Sequence, residues 1–322
     1  MGRVGERTEC ALGAFPNSFV PDLCAGGGGL ADNVELLLMN LPTSFVHTAL
    51  AALSLGICPA IIQAADTISP ETLSKGYNFI PSPIYSLEDD RKILAAFKGL
   101  RVADVTDGLD AVGLFGRGMM DREIHSLWRD PTDYAHRFIG IAVTARFVPT
   151  QESSPGVMAE TDYDAWAGKW YNEKSSEPFM ALLREGSALI LEDAPNADVG
   201  SIGSANIMAW KAKGCVGVVT NATARDTDEI ATQKMPLYLR NAGRGIRPGR
   251  NEIESVNRPV VVGGALVKPG DVIVADGDGV IVVPRTHALK VAAYAHKILE
   301  GDKNARRGLY QQLGIPADKS VK

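Results

Sequence analysis

Between residues 86 and 300 the apolar positions recur with two different spacings, and the switches between them mark the elements. "LEDDRKILAAFKG" has acids in its first turn, Ser86 before it as a cap and Gly99 at its end, which predicts a helix. "RVADVTDGLDAVG" predicts a second short helix stopped by Gly113. "RFIGIAVTARFVP" alternates and is β-branched, so it reads as a strand closed by Pro149. From Gln151 to Asn172 the pattern reads as a connection, in which Trp166, Trp170 and Tyr171 are packing residues. Ser176 and Pro178 open a predicted helix that runs to Gly186.

The next stretch is a strand–helix–strand unit. "SALILED" is a strand, "VGSIGS" a glycine-containing turn, "ANIMAWKAKG" a helix and "VGVVT" a strand. Helices of this length between strands imply crossovers and parallel or mixed pairing. "PLYLR" and "PVVVGG" add short strands, and "DVIVADGDGVIVVP" reads as a hairpin turning at "DGDG". Thr286 is the expected cap of a closing helix, "HALKVAAYAHKILEG", with Leu289, Ala292, Ala293, His296 and Leu299 at helical spacing.

Residues 1–85 differ. No Asp, Glu, Lys or Arg occurs from Leu36 to Ala65, and the run ends in small residues. This reads as a secretory signal over 39–64, preceded by an upstream extension over 1–38 and followed by an extended arm over 65–85. The expected location is therefore periplasmic or secreted, with the cytoplasm as the alternative. The folded domain is expected over 86–322.

The chain has 322 residues, 45% of them hydrophobic, enough for a proper core. Its net charge of −5 is spread along the sequence without a basic block, which argues against nucleic-acid binding. Four cysteines, at 10, 24, 58 and 215, show no CxxC or Cys/His ligand spacing, which argues against structural zinc. His287 and His296 read as surface or packing residues, and "GRGIRPGR", with Arg247 and Arg250, as an exposed loop.

The chemistry concentrates in "NATARDTDEI", directly after an apolar strand. The turn Gly203–Ser204 opens a helix whose first amides, near Ala205 and Asn206, lack intrahelical acceptors and attract anions. Arg225 is suited to a bidentate carboxylate contact, and Asp226 to Mg²⁺ or Mn²⁺ that keeps several waters. Together they suit a small 2-oxo acid. Its carboxylate would lie on Arg225 and the helix amides, while its keto oxygen meets a Lewis-acid metal that stabilises an enolate. A bare N-cap at Ser204 beside a surface Arg–Asp pair is the competing reading.

"KAKGCVGVVTNATARDTDEI" resembles the RraA-like family, and "RVADVTDGLDAVG", "GIAVTARFVPT" and "KPGDVIVADGDGVIVVP" are similar to its other blocks, over roughly 85–300. The family includes class II 4-hydroxy-4-methyl-2-oxoglutarate/4-carboxy-4-hydroxy-2-oxoadipate aldolases and regulators of ribonuclease E activity. The resemblance implies an α/β fold of the β/β/α swivelling type, with mixed sheets and flanking helices. It also implies a homotrimer or hexamer with sites at subunit interfaces.

The resemblance places the family's Arg-Asp pair on Arg225 and Asp226 and a supporting acid on Glu229. It places the aldolase acid on Ser204, where the ribonuclease-regulator type has Gly; Asn221 also departs from the family pattern. Glu300 is a candidate for an acid donated by a neighbouring subunit. Because Ser204 is no base at neutral pH, oxaloacetate-type decarboxylation is better supported than retro-aldol cleavage of a 4-hydroxy-2-oxo acid. A non-catalytic binding or regulatory relative is the alternative.

Overall fold

A computed structural model of the chain describes residues 69–194 and 198–322, so the expected extension and signal segment lie outside the described residues. The chain divides into two units, Met1–Tyr77 and Asn78–Lys322. In the first, α1 (Pro70–Lys75) is a short helix where an extended arm is expected. Thr72 N donates to Ser69 Oγ at 3.1 Å, a local N-terminal cap that a segment with the single leucine Leu73 does not announce by periodicity.

The second unit begins at Asn78. It contains α2 (Leu87–Phe97), capped by Ser86 as its sequence predicts, and α3 (Val102–Ala111). Next come β1 (His125–Ser126), β2 (Phe138–Pro149) and α4 (Glu160–Glu173). After a single 3₁₀ turn at Pro178–Ala181 follow β3 (Ser187–Glu192), β4 (Gly200–Ile202) and α5 (Ser204–Ala212). The chain continues through β5 (Cys215–Thr220), β6 (Thr223–Ala224), α6 (Thr227–Thr232), β7 (Leu237–Leu239) and β8 (Asn241–Ala242). It ends with β9 (Asn251–Val256), β10 (Val260–Val262), β11 (Ala265–Val267), β12 (Val272–Asp276), β13 (Gly279–Val283) and α7 (Ala288–Leu313).

The main sheet runs β1-β7-β5-β3-β2-β12-β13, with β9 also paired to β2. Strands β2, β3, β5 and β7 are parallel neighbours, and β12 and β13 close as the expected antiparallel hairpin. The two sheet edges are bridged by the segment before β1: Val282 N donates to Gly118 O and Met120 N to Val280 O. The result is a nearly closed, barrel-like mixed sheet.

Strand alternation sorts the core. Ala188 and Ile190 of β3 face an inner cluster with Val219, Tyr238 and Ile273, roofed by β10–β11. Leu189 and Leu191 face outward onto Ile207 and Trp210 of α5 and Ile230 of α6. Farther along, Val272 and Val274 pack under α2, α3 and α7. These are the β, β and α layers expected of the family type.

Several expectations fail locally. The connection after Gln151 contains α4, which buries only Ala167 and Trp170 and so carries little apolar periodicity. Its aromatic residues do pack: Trp166 and Trp170 have ring centroids 5.7 Å apart. The helix expected from Ser176 to Gly186 is only the one 3₁₀ turn. "VGSIGS" contains strand β4 rather than only a turn. Thr286 lies in a 3₁₀ turn and does not cap α7, which runs through Gly301 to Leu313. Its buried face is Ala288, Val291, Ala292, Ala295 and Leu299, with Leu289 exposed. Among the described residues no helix is long and apolar enough to cross a membrane.

Candidate functional site

A second, three-stranded sheet, β4-β6-β8, is all parallel and sits just beyond the ends of β3, β5 and β7. Its first two strands bring Gly203 and Arg225 side by side, and Arg225 N donates to Ile202 O at 2.9 Å. These two segments therefore lie side by side in the small sheet, beyond the main layer.

Asp226 adopts a left-handed backbone conformation, φ +56° and ψ +40°, which a non-glycine residue holds only when its surroundings demand it. The consequence is directional. Although Asp226 precedes α6, its side chain makes no capping bond there. It turns instead to α5, where its Oδ2 accepts from Ser204 N at 3.0 Å and Ser204 Oγ at 3.1 Å. A carboxylate at a helix N-terminus is electrostatically favoured. Its Oδ1 makes no hydrogen bond among the described residues; the Arg225 guanidinium lies 3.9 Å away.

Gly203 is the floor of the site. A methyl group there would lie 3.0 Å from Asp226 Oδ2, 3.2 Å from Asn206 Oδ1 and 3.8 Å from Arg225 Nε. Three polar side chains thus converge over one α-carbon. Gly200 plays a related part for Arg225: a methyl group there would meet the Arg225 Cβ at 2.7 Å. The Arg225 and Asp226 side chains are 39% and 36% exposed, open enough for a ligand to reach both. The amides of Ala205 and Asn206 have no acceptor among the described residues.

Asn206 is held from behind. Its Nδ2 donates to Glu177 Oε1 at 2.8 Å, which leaves its carbonyl oxygen toward Gly203. Glu177 also accepts from Trp210 Nε1 at 2.8 Å and pairs with Arg247. The exposed-loop reading of Arg247 is therefore wrong: its side chain is 4% exposed, and it donates to Ser175 O at 2.8 Å. Sequence reasoning missed Glu177 altogether, because its partners are distant in the chain and the nearby Pro178 suggests only a helix start.

The other expected site residues are dispersed. Asn221 Oδ1 accepts from Asp193 N at 3.0 Å and ties together the ends of β3 and β5. Asp193 is buried beside Ser201 and Asn251, and burial pushes its carboxyl above the usual range. Glu229 is exposed in the first turn of α6 and makes no hydrogen bond with Arg225 or Asp226. Glu300 lies on α7 and pairs with Lys303 at 3.5 Å, in the helical layer with α2 and α3 rather than with α5 and α6. Within one chain it is not brought to Arg225 and Asp226. Cys215 is buried, which pushes its thiol up to about 11.

Among the described residues no three His, Cys, Asp or Glu side chains converge as a metal cage. The donor set at Asp226 is compatible with a different mode. One carboxylate oxygen without a hydrogen bond, on a partly exposed side chain, suits a hard cation that keeps most of its waters.

A mixed sheet of this closure, with an Arg-Asp pair beyond the parallel strand ends, defines the class. The chain belongs to the RraA-like family, whose Aldolase/RraA model matches residues 102–282. A Halalkalibacterium halodurans protein named "Putative 4-hydroxy-4-methyl-2-oxoglutarate aldolase" is 31% identical over 100 residues, 31% of this chain and 47% of that protein. Protein DlpA of Legionella pneumophila is 22% identical over 237 residues, 72% of this chain and 34% of its own length. The chain thus spans less than half the length of these two relatives. The crystal structure of RraAS2 from Streptomyces coelicolor, titled as an unusual member of the RNase ES inhibitor RraA protein family, shares the fold. Its TM-score is 0.53 at 21% identity, over 70% of this chain and 99% of that one. Members named as aldolases and members named as ribonuclease inhibitors therefore share this family.

Proposed function

We propose that this protein is a divalent-metal-dependent carbon–carbon lyase acting on a small 2-oxo acid, with oxaloacetate-type decarboxylation as its reaction. The observation that carries the reading is the convergence of Asp226, Arg225 and Asn206 over Gly203. Arg225 would hold the substrate carboxylate, with the free amides of Ala205 and Asn206 beside it. Asp226 would hold Mg²⁺ or Mn²⁺ through Oδ1 while Ser204 fixes its other oxygen. When bound, the ion would supply Lewis-acid stabilisation of negative charge developing on the keto oxygen.

Ser204 decides between the two lyase reactions. Its hydroxyl donates to Asp226 and has no basic form at neutral pH, so it does not take the proton from a 4-hydroxyl group as retro-aldol cleavage requires. Decarboxylation requires no such proton removal. The site is open in one chain, which supports a homotrimer or hexamer whose neighbouring subunit closes it, with Glu300 as the donated acid. Export through the segment 39–64 is part of the same proposal, and it would separate the protein from a cytoplasmic ribonuclease.

The test is a set of three variants assayed with oxaloacetate and Mg²⁺ or Mn²⁺. Asp226→Ala should abolish metal-dependent decarboxylation. Arg225→Ala should raise KM more than it lowers kcat, because a carboxylate anchor acts in ground and transition states alike. Ser204→Asp should add cleavage of a 4-hydroxy-2-oxo acid. Absence of any metal-dependent turnover in the wild type, with a melting temperature indifferent to chelators, would replace this reading with the non-catalytic relative. The bond from Ser204 to Asp226 favours that second reading, since it gives Asp226 a purely structural task as the cap of α5.

A further inference from the structure

Away from Arg225 and Asp226 the structure contains a cavity of about 680 Å³. It lies where the loop Gly116–Met119, strand β11, the turn Lys268–Asp271 and the segment Ile80–Tyr85 meet. Ile80, Leu114, Met119, Leu266 and Val282 give it apolar walls. Its charged residues are unbalanced: Arg117, Lys268 and Arg285 are cations and Asp271 is the acid. That acid is already occupied, since its Oδ2 accepts from Lys268 N at 2.9 Å and its Oδ1 from Arg285 N at 3.0 Å. Burial raises the pKa of its carboxyl, and the charges of Lys268 and Arg285 act against that rise.

The charged cluster extends behind the cavity wall. Asp90, 2% exposed, faces two guanidinium groups, Arg285 Nη1 at 2.8 Å and Arg184 Nη2 at 2.5 Å. Asp90 thus serves two guanidiniums at once. The Arg285 side chain is 9% exposed, and its Nη2 is buried without a hydrogen-bond acceptor among the described residues. Tyr85, which also lines the cavity, stacks 3.9 Å from the guanidinium. A ring face eases a cation but does not replace the acceptor that a buried N–H needs.

We propose that this cavity binds a small organic anion with an apolar body, its acid group paired with Arg285, Lys268 and Arg117 and its hydrocarbon part against Leu114, Met119 and Leu266. The volume lies within the ordinary range for small-molecule pockets. The apolar walls select against a hydrated inorganic ion, and the excess of cations selects against a neutral lipid. Tyr85 lies against the guanidinium face at the cavity wall and orders that side of the site. None of Gly203, Ser204, Arg225 and Asp226 lines the cavity, so this proposal does not depend on the lyase reading.

Calorimetric titration of the full chain with octanoate, 1-octanol and inorganic phosphate tests it. The charge-assisted contacts should make octanoate bind about tenfold more tightly than octanol, at one site per chain. The double variant Arg117→Ala/Lys268→Ala changes two exposed side chains that make no ion pair among the described residues, so it should fold normally. It should weaken octanoate about tenfold, and added salt should weaken the wild type similarly. Equal affinity for octanol and octanoate, unchanged binding in the double variant, or no saturable binding would overturn the proposal. So would phosphate that competes as well as octanoate, because the apolar walls would then have no role.

Discussion

Gly203→Ala separates the proposed function of the site from the stability of the fold. The backbone at Gly203 has φ −121° and ψ +168°, an extended conformation that alanine adopts without strain. The added methyl would sit 3.0 Å from Asp226 Oδ2, and ordinary contact begins near 3.4 Å, so the carboxylate must retreat by a few tenths of an ångström. That lengthens its bonds from Ser204 N and Oγ, now 3.0 and 3.1 Å, toward the limit of hydrogen bonding. For a partly exposed carboxylate the loss is about 1 kcal/mol. Replacing glycine offsets about 0.4–1 kcal/mol of this by restricting the unfolded chain. The melting temperature should therefore move by no more than roughly 4 °C.

Activity should respond differently. The methyl occupies the space over which Asp226, Asn206 and Arg225 converge; a substrate lying there would be pushed aside by about 1 Å, which costs roughly 100-fold in kcat/KM. Oxaloacetate consumption with Mn²⁺, followed by absorbance beside a thermal melt, measures both quantities. A variant that keeps wild-type kcat/KM to within about threefold would show that substrate does not lie over Gly203.

Glu177→Gln keeps the side-chain shape but strips the countercharge from Arg247, 4% exposed, and should cost about 3 kcal/mol in urea unfolding. Wild-type stability in that variant would show that Arg247 is compensated elsewhere. Asp193 has a folded-state pKa raised by burial, so its contribution to stability is fully present below the unfolded pKa and is lost as pH rises through the folded value. Asp193→Asn removes that slope, and Asn251 Oδ1, buried without a donor among the described residues, can accept from the new amide if Asn251 flips. The stability difference between variant and wild type should shift in favour of asparagine from pH 4 to pH 8; a difference independent of pH sinks the argument. Light scattering at micromolar concentration should give a trimer or hexamer, and a clean monomer would contradict a site shared between subunits.

The elements legible in the sequence are those whose signals are local. Ser86 and the acids behind it specify α2, and the β-branched run before Pro149 specifies β2. The Arg225–Asp226 pair stands out as a charged run directly after an apolar strand, but a solvated loop explains such a run equally well, and only the family resemblance tells the two apart. What escaped depends on distance. Strand β4 is three residues long and exists only because β6 pairs with it. Arg247 reads as solvated until Glu177 and the rings of Phe147 and Tyr171 are placed around it. The direction of the Asp226 side chain was hidden for a related reason. Acids before a helix ordinarily serve that helix, and only the left-handed backbone at Asp226 redirects this one to α5.

The small parallel sheet has a consequence for how such a site diverges. Strands β4, β6 and β8 follow β3, β5 and β7 in the chain, and the small sheet keeps the order of the large one. Arg225 and Asp226 leave the central strand, β6, which is clamped on both sides, whereas Ser204 follows an edge strand, β4. An inserted or deleted residue between β5 and β6 would slip the register and turn Arg225 to the opposite face. A substitution at Ser204 disturbs no ladder at all. The scaffold thus clamps the strand that leads to positions 225 and 226 on both sides, while position 204 can vary without breaking a strand ladder.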